Sequence, residues 1–116
     1  MEIMRFNDAR RYDAPGHYDM RGLRLQGFDA STAGFAWTGL SHFLPGGGAE
    51  MDASPLEKIY VVIEGAVTIE LGDGTCHILR PFDSCFIGAG EARAIRNEGN
   101  AVASMLVVMP YPEART

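Results

Sequence analysis

Apolar and polar residues along this chain alternate in short runs, and nowhere do apolar residues recur at the spacing of a long amphipathic helix. RGLRLQG at 21–27 alternates. FAWTGLSHFL at 35–44 predicts a second strand, ended by Pro45 and a Gly46-Gly47-Gly48 loop. KIYVVIEG at 58–65 is the strongest strand pattern, rich in β-branched and aromatic residues. Glu64-Gly65 reads as a tight turn into VTIEL, a hairpin whose far end turns at Gly72-Asp73-Gly74. CHIL, SCFIG and ARAIRN predict short strands, and AVASMLVVMP a longer apolar one closed by Pro110 and Pro112. Strands at this spacing predict an all-β sandwich or barrel over about residues 21–110. Residues 1–20 are less regular and are broken at Pro15-Gly16. They read equally as an arm on a partner subunit or as a loose surface segment.

Composition narrows the class. A chain of 116 residues, 47% hydrophobic, predicts one domain, 1–116, around one core. A net charge of -5 and scattered arginines argue against nucleic acid as a partner, which would require a basic face. No run reaches the roughly 20 apolar residues of a membrane span, and MEIMRFNDARRYD lacks the apolar stretch of a signal peptide. The expected compartment is therefore the cytoplasm. Cys76 and Cys85 lie in apolar strand-like runs and read as buried free thiols rather than a disulfide. The glycine run 46–48 lacks the Lys-Ser/Thr and helix of a phosphate loop.

Two spaced motifs carry a resemblance. Gly46, Asp52, Ser54, Lys58 and Gly65 are separated by gaps of five, one, three and six residues. Phe82, Gly88, Gly90, Arg93 and Asn97 follow at gaps of five, one, two and three. These spacings, with PGGG, EKIYVVIEG and RPFDSCFIGAGEARAIRN around them, resemble the two motifs of small single-domain cupins over about residues 39–109. The resemblance implies a cupin-type double-stranded β-helix, or jelly-roll barrel. It also implies a homodimer, which would hide sheet edges.

In cupins, two histidines and a glutamate of the first motif and a histidine of the second hold a divalent transition metal. This chain has Asp52, Ser54, Lys58 and Arg93 there. Only Asp52 is a good ligand, and two cations disfavour a third charge of their own sign. No metal and no other cofactor is expected at that place. Phe82 stands where the family has glycine, so the turn before Asp83 is expected to avoid positive φ. Gly88 replaces a proline and loosens its strand.

Strand alternation places residues 58, 60, 62 and 64 on one face. If Lys58 points inward, so does Tyr60, and by resemblance Arg93 faces them, with Asp52 and Ser54 at the same end. An ammonium, a guanidinium, a phenol, a carboxylate and hydroxyls suit a small anionic, oxygen-rich ligand such as a carboxylate. Lys58 is the chain's only lysine against nine arginines. Desolvated beside Arg93 it would have a lowered pKa, fitting it as a general base or Schiff-base nucleophile. The candidate catalytic residues are Lys58, Arg93 and Tyr60, with Asp52, Ser54, His42 and Met51 as ligand-binding candidates. His17 and His77 read as surface or hydrogen-bonded histidines, Glu57 as solvated, and Trp37 as core or interface. Three functions remain open: an isomerase, lyase or decarboxylase acting on a small carboxylate without metal, a non-catalytic binding module, or a structural dimer. The last is the natural reading if Lys58 merely pairs with Asp52 or Glu57.

Overall fold

Nine strands and one 3₁₀ turn, Phe6–Asp8, account for the regular structure in the computed structural model, which describes residues 1–112. The strands are β1 (Arg10–Tyr12), β2 (His17–Gln26), β3 (Trp37–Ala53), β4 (Lys58–Glu64), β5 (Val67–Leu71), β6 (Cys76–Leu79), β7 (Ser84–Ile87), β8 (Ala92–Arg96) and β9 (Ala103–Met109). All pairings are antiparallel, in the order β6-β5-β8-β3-β9-β4-β7, with β2 on β3 and β1 on β2. The result is the expected all-β architecture, a nearly closed antiparallel barrel.

The longest strand makes the corner. Residues 37–43 of β3 pair with β9, whereas residues 48–53 pair with β8. The glycine run does not end the strand, as its composition suggested; β3 passes straight through it. Gly46 supplies a positive φ of 84° for the bend. A Cβ on Gly47 would lie 2.1 Å from the Asp19 carbonyl oxygen, and one on Gly48 1.9 Å from that of Ile95. Glycine is needed there because backbones from two sides close onto the corner.

A second correction concerns the turn at Gly65. β4 and β5 do not pair; β4 lies between β7 and β9, and β5 between β6 and β8. Gly65, at φ 73°, therefore carries the chain between two non-neighbouring strands of the barrel, packed against Ala103. The β5–β6 hairpin around Gly72-Asp73-Gly74 forms as expected. Phe82 also departs from expectation: it adopts φ 71° despite its Cβ, with the ring 81% exposed. Its amide still donates to the Val62 carbonyl, and Asp83 caps the turn by accepting from the Arg80 amide. These bonds hold the glycine-like conformation in place.

The core lies inside the barrel and includes Phe43, Val62, Val67, Ile69, Ile95 and Met105. Asn97 is buried there with its amide satisfied: Nδ2 donates to the carbonyls of Phe43 and Ala101, and Oδ1 accepts from Gly99. This fastens the end of β8 to β3. Residues 10–12 and 17–20, within the irregular first twenty, belong to strands that pair inside the chain. Of the cysteines, Cys85 is half-buried, but Cys76 is exposed, because β6 is a short edge strand with solvent on its outer side. No helix among the described residues is long and apolar enough to cross a membrane.

Candidate functional site

Inward alternation on β4 buries Lys58, Tyr60 and Val62, while β8 brings Arg93 to meet them. Lys58 is only 4% exposed and Arg93 7%. They border a cavity of about 280 Å³ inside the barrel, whose wall also holds Tyr60, Ser54, Ser41 and His17. The segment Asp13–Pro15, between β1 and β2, contributes to the same wall.

The polar contacts are few and directional. Arg93 Nε donates to the Tyr60 hydroxyl at 2.8 Å, and one Nη donates to the Glu50 carbonyl at 3.1 Å. Neither acceptor is charged, so the guanidinium keeps its full charge and its second Nη for another partner. Lys58 makes no hydrogen bond or ion pair among the described residues; in particular, no bridge joins it to Asp52 or Glu57. Burial lowers its pKa, Arg93 lowers it further, and Asp52 opposes both weakly. Burial raises the Tyr60 pKa against the opposing pull of Arg93, so its phenol stays protonated at neutral pH.

The expected site residues fall into three places. Lys58, Tyr60, Arg93 and Ser54 share the cavity. Asp52 and Met51 are exposed and line a separate shallow recess with Glu50, on another side of Arg93. The register pairs Asp52 with Arg93, so the shift between Ala49 and Asp52 keeps both on one face, but Asp52 stands at the end of β3, exposed and outside the cavity lining. His42 stands on the outer face of β3, with Nδ1 2.8 Å from the Ser104 hydroxyl and the Phe6 ring edge-on to it.

Two cavity residues escaped the sequence reading. His17 follows the Pro15-Gly16 break, and its Nδ1 lies 3.0 Å from the Pro15 carbonyl. A carbonyl can only accept, so this bond assigns the proton to Nδ1 and leaves Nε2 as an acceptor. Burial lowers the His17 pKa, as do Arg93 and Lys58, against the opposing effect of the Pro15 bond. Arg24 is the other. Its partner across the sheet is Gly39, which shares the inward face with Trp37 and Phe43, whereas Leu23 opposite Leu40 points outward. An apolar-inward reading of RGLRLQG assigns these faces the other way round. No local signal revealed the inversion.

The metal of the resembled family does not fit this donor set. Lys58 and Arg93 are cations, the Ser54 hydroxyl already accepts from the Leu56 amide, and Asp52 lies outside the cavity lining. Among the described residues, no cluster of three or more histidine, cysteine or acidic side chains is arranged to hold a metal ion.

Comparison with known proteins agrees with this architecture. The profile of the Cupin domain family matches residues 39–109. A β-D-galactosidase of Mycobacterium tuberculosis is 37% identical over 114 residues, covering 98% of this chain and 97% of that protein. The polyketide cyclase RemF of Streptomyces resistomycificus superposes with a TM-score of 0.85 at 21% identity, over 95% of this chain and 79% of that one. A sugar phosphate isomerase from the cupin superfamily of Silicibacter pomeroyi superposes at 0.79 with 22% identity, over 94% and 75%. At such identities these structures speak for the fold alone. The family profile, supported by the full-length relative, establishes that this chain belongs to the cupins.

Proposed function

We propose that the barrel cavity takes a small organic anion, such as a hydroxy- or keto-carboxylate, and that Lys58 moves a proton on it without a metal. The observation that carries this reading is Lys58 itself: buried, without a carboxylate partner, beside Arg93, and facing an open cavity. A lysine that only filled space would be expected to pair with a carboxylate, whereas this one presents its ammonium to the cavity with its hydration reduced. Arg93 would grip the carboxylate through the Nη that Tyr60 and Glu50 leave free. Lys58, biased towards its neutral amine, would take a proton from the carbon next to that carboxylate. Tyr60, kept as a phenol, would donate to the oxygen on which charge develops. His17, with Nε2 free, would relay the proton. This chemistry belongs to isomerases, lyases and decarboxylases. We further infer a cytoplasmic homodimer, its contact formed by the outer face on which Ile59, Ile63 and Phe86 are exposed.

A second reading, galactoside hydrolysis, is favoured by one observation, the name of the 37% identical relative. Glycosidases ordinarily use two carboxyl groups flanking the scissile bond. Asp13 alone among the acidic residues lines the cavity in the described region, so the geometry favours the anion.

Calorimetry of the purified chain with hydroxy- and keto-carboxylates, run beside turnover of nitrophenyl β-D-galactoside, separates the readings. Carboxylate binding that survives Lys58→Met and disappears in Arg93→Met, with turnover lost in both, is the expected result. Binding without turnover of any panel member would leave a sensor or storage barrel. Galactoside turnover indifferent to Lys58→Met, with no carboxylate bound, would overturn the proposal in favour of hydrolysis. Elemental analysis finding one transition metal per chain, lost on substitution at 52, 54, 58 or 93, would refute its metal independence.

A further inference from the structure

The cavity contains a third cation, and its surroundings are unusual. The Arg24 guanidinium carbon lies 4.1 Å from the ring centres of Tyr12 and Phe28 and 4.7 Å from that of Trp37. Its Nη1 is buried without a hydrogen-bond partner, the one such side-chain atom among the described residues. No carboxylate pairs with it: the nearby Asp29 forms its contact with Arg10, at 3.7 Å on the exposed surface. The rings attract the cation through their faces, but they do not accept its in-plane N–H donors. The cage thus fixes the guanidinium while leaving its hydrogen bonds unmade, and each unmet buried donor costs free energy.

The cage is built to tight tolerances. A Cβ on Gly39, directly across from Arg24, would lie 2.5 Å from the Tyr12 hydroxyl and 3.0 Å from the Trp37 ring. Tyr12 and Trp37 close edge to face at 5.7 Å only because residue 39 has no side chain. Arg24 and its three rings line the same cavity as Lys58 and Arg93. The two cationic points are nevertheless distinct: Arg24 stands on β2 within its ring cage, whereas Lys58 on β4 and Arg93 on β8 lie outside that cage.

We propose that Arg24 is a second anion-gripping, specificity-determining residue of this cavity, so that the ligand carries an anionic group at each of two ends. This rests on the anion-binding reading above. A dianion answers both features together, neutralising the Lys58–Arg93 pair at one end and supplying the Arg24 donors with acceptors at the other. A planar guanidinium held by rings is already oriented for two parallel bonds to a carboxylate, so little is lost in ordering it.

The test is a titration of the full chain with α,ω-dicarboxylates from succinate to pimelate, each against the monocarboxylate of equal length. We expect one dicarboxylate length to bind roughly ten- to a hundredfold more tightly than its monocarboxylate, as charge-assisted hydrogen bonds allow. Arg24→Gln should remove that preference while leaving monocarboxylate affinity within about twofold, a retained affinity that also reports an intact barrel. Should Arg24→Gln fail to fold, Arg24→Lys keeps the charge in the cage and should still reduce the preference several-fold by losing the planar fork. Monocarboxylates binding as well as dicarboxylates at every length would overturn the assignment of Arg24 and leave the anion site standing. Weakening of both classes alike in an Arg24 variant would overturn it too. No binding of either class to the unaltered chain would instead strike the anion-binding reading itself.

Discussion

Replacing Lys58 with methionine should make this protein more stable while removing its proposed chemistry. Methionine has nearly the length of the lysine stem and puts an apolar end where the ammonium now sits. Lys58 is 4% exposed and has no carboxylate partner, but its Nζ faces the cavity and is not among the solvent-excluded atoms, so the ammonium loses only part of its hydration and gains no ion pair in return. Replacing fully buried ionic groups by packed apolar ones is worth about 1–4 kcal/mol, and for a single, partly hydrated ammonium the gain falls to at most about 1 kcal/mol. The unfolding entropy of about 2.1 cal/mol/K per residue gives roughly 0.24 kcal/mol/K for 116 residues. Each kcal/mol then moves the midpoint by about 4 °C, and the variant should melt higher by up to about 4 °C at neutral pH. The pH dependence carries the sharper test. The folded pKa of Lys58 lies below its ordinary value of 10.5, so between the two values the unfolded chain holds more protons. The contribution of Lys58 to stability must therefore rise with pH across that window. The advantage of Lys58→Met should be greatest below it and shrink as pH approaches 10. Urea unfolding of both proteins at a series of pH values measures this difference, and their common tyrosines cancel. A variant less stable at neutral pH, or an advantage that does not shrink, would refute the account of Lys58 as an unpaired buried cation.

Phe82→Gly should gain about 0.5–1 kcal/mol, because it relieves a left-handed backbone at φ 71° and loses a ring that is 81% exposed. A lower urea midpoint would mean that the ring makes packing contacts of greater value than the strain. Gly48→Ala should cost more than about 3 kcal/mol or abolish folding, since its Cβ would sit 1.9 Å from the Ile95 carbonyl oxygen. Gly34→Ala, with open space at that position, should stay within about 0.5 kcal/mol in the same assay.

The barrel was legible in the sequence because period-two alternation and the two spaced motifs are local signals. The wall of the site was legible only in part, and the reason is geometric. Lys58 and Tyr60 stand two apart on a regular strand, so parity placed both inward. Asp52 shares the face of Arg93 by register, yet it stands exposed at the end of β3 outside the cavity, and where a strand runs out into solvent is not announced by residue types. His42 was exchanged for His17 because the inward side of β3 depends on its pairing with β2 and β9, a non-local property. The glycine run was read as a loop because glycine weakens strands, whereas here three glycines let three strands close onto one corner. Arg24 was hidden for a similar reason. Alternation in RGLRLQG does not say which face of β2 turns inward, and Leu23 is buried on the outward side, where Phe6 of the N-terminal segment packs against His42. With the outer face covered, the inner face was free to carry a cation.

That freedom bears on why the cavity persists. A barrel that has abandoned its metal ligands has an inexpensive route to stability, namely filling the vacated interior with apolar side chains. This chain has not taken it. Ile95, Met105 and Val107 line the same cavity and show that apolar residues are tolerated on its walls. Among them stand Lys58, Arg93 and Arg24, none paired with a carboxylate among the described residues. The Gly39 contact that shapes the Arg24 cage and the Tyr60 hydroxyl that fixes Arg93 are further investments in geometry rather than in stability. Charges that destabilise the empty fold become favourable once an anion is bound, because the ligand supplies the counter-charge that the protein omits. The arrangement is coherent as a binding site and wasteful as a core, and the same balance explains why the lysine's proposed role and the fold's stability pull in opposite directions.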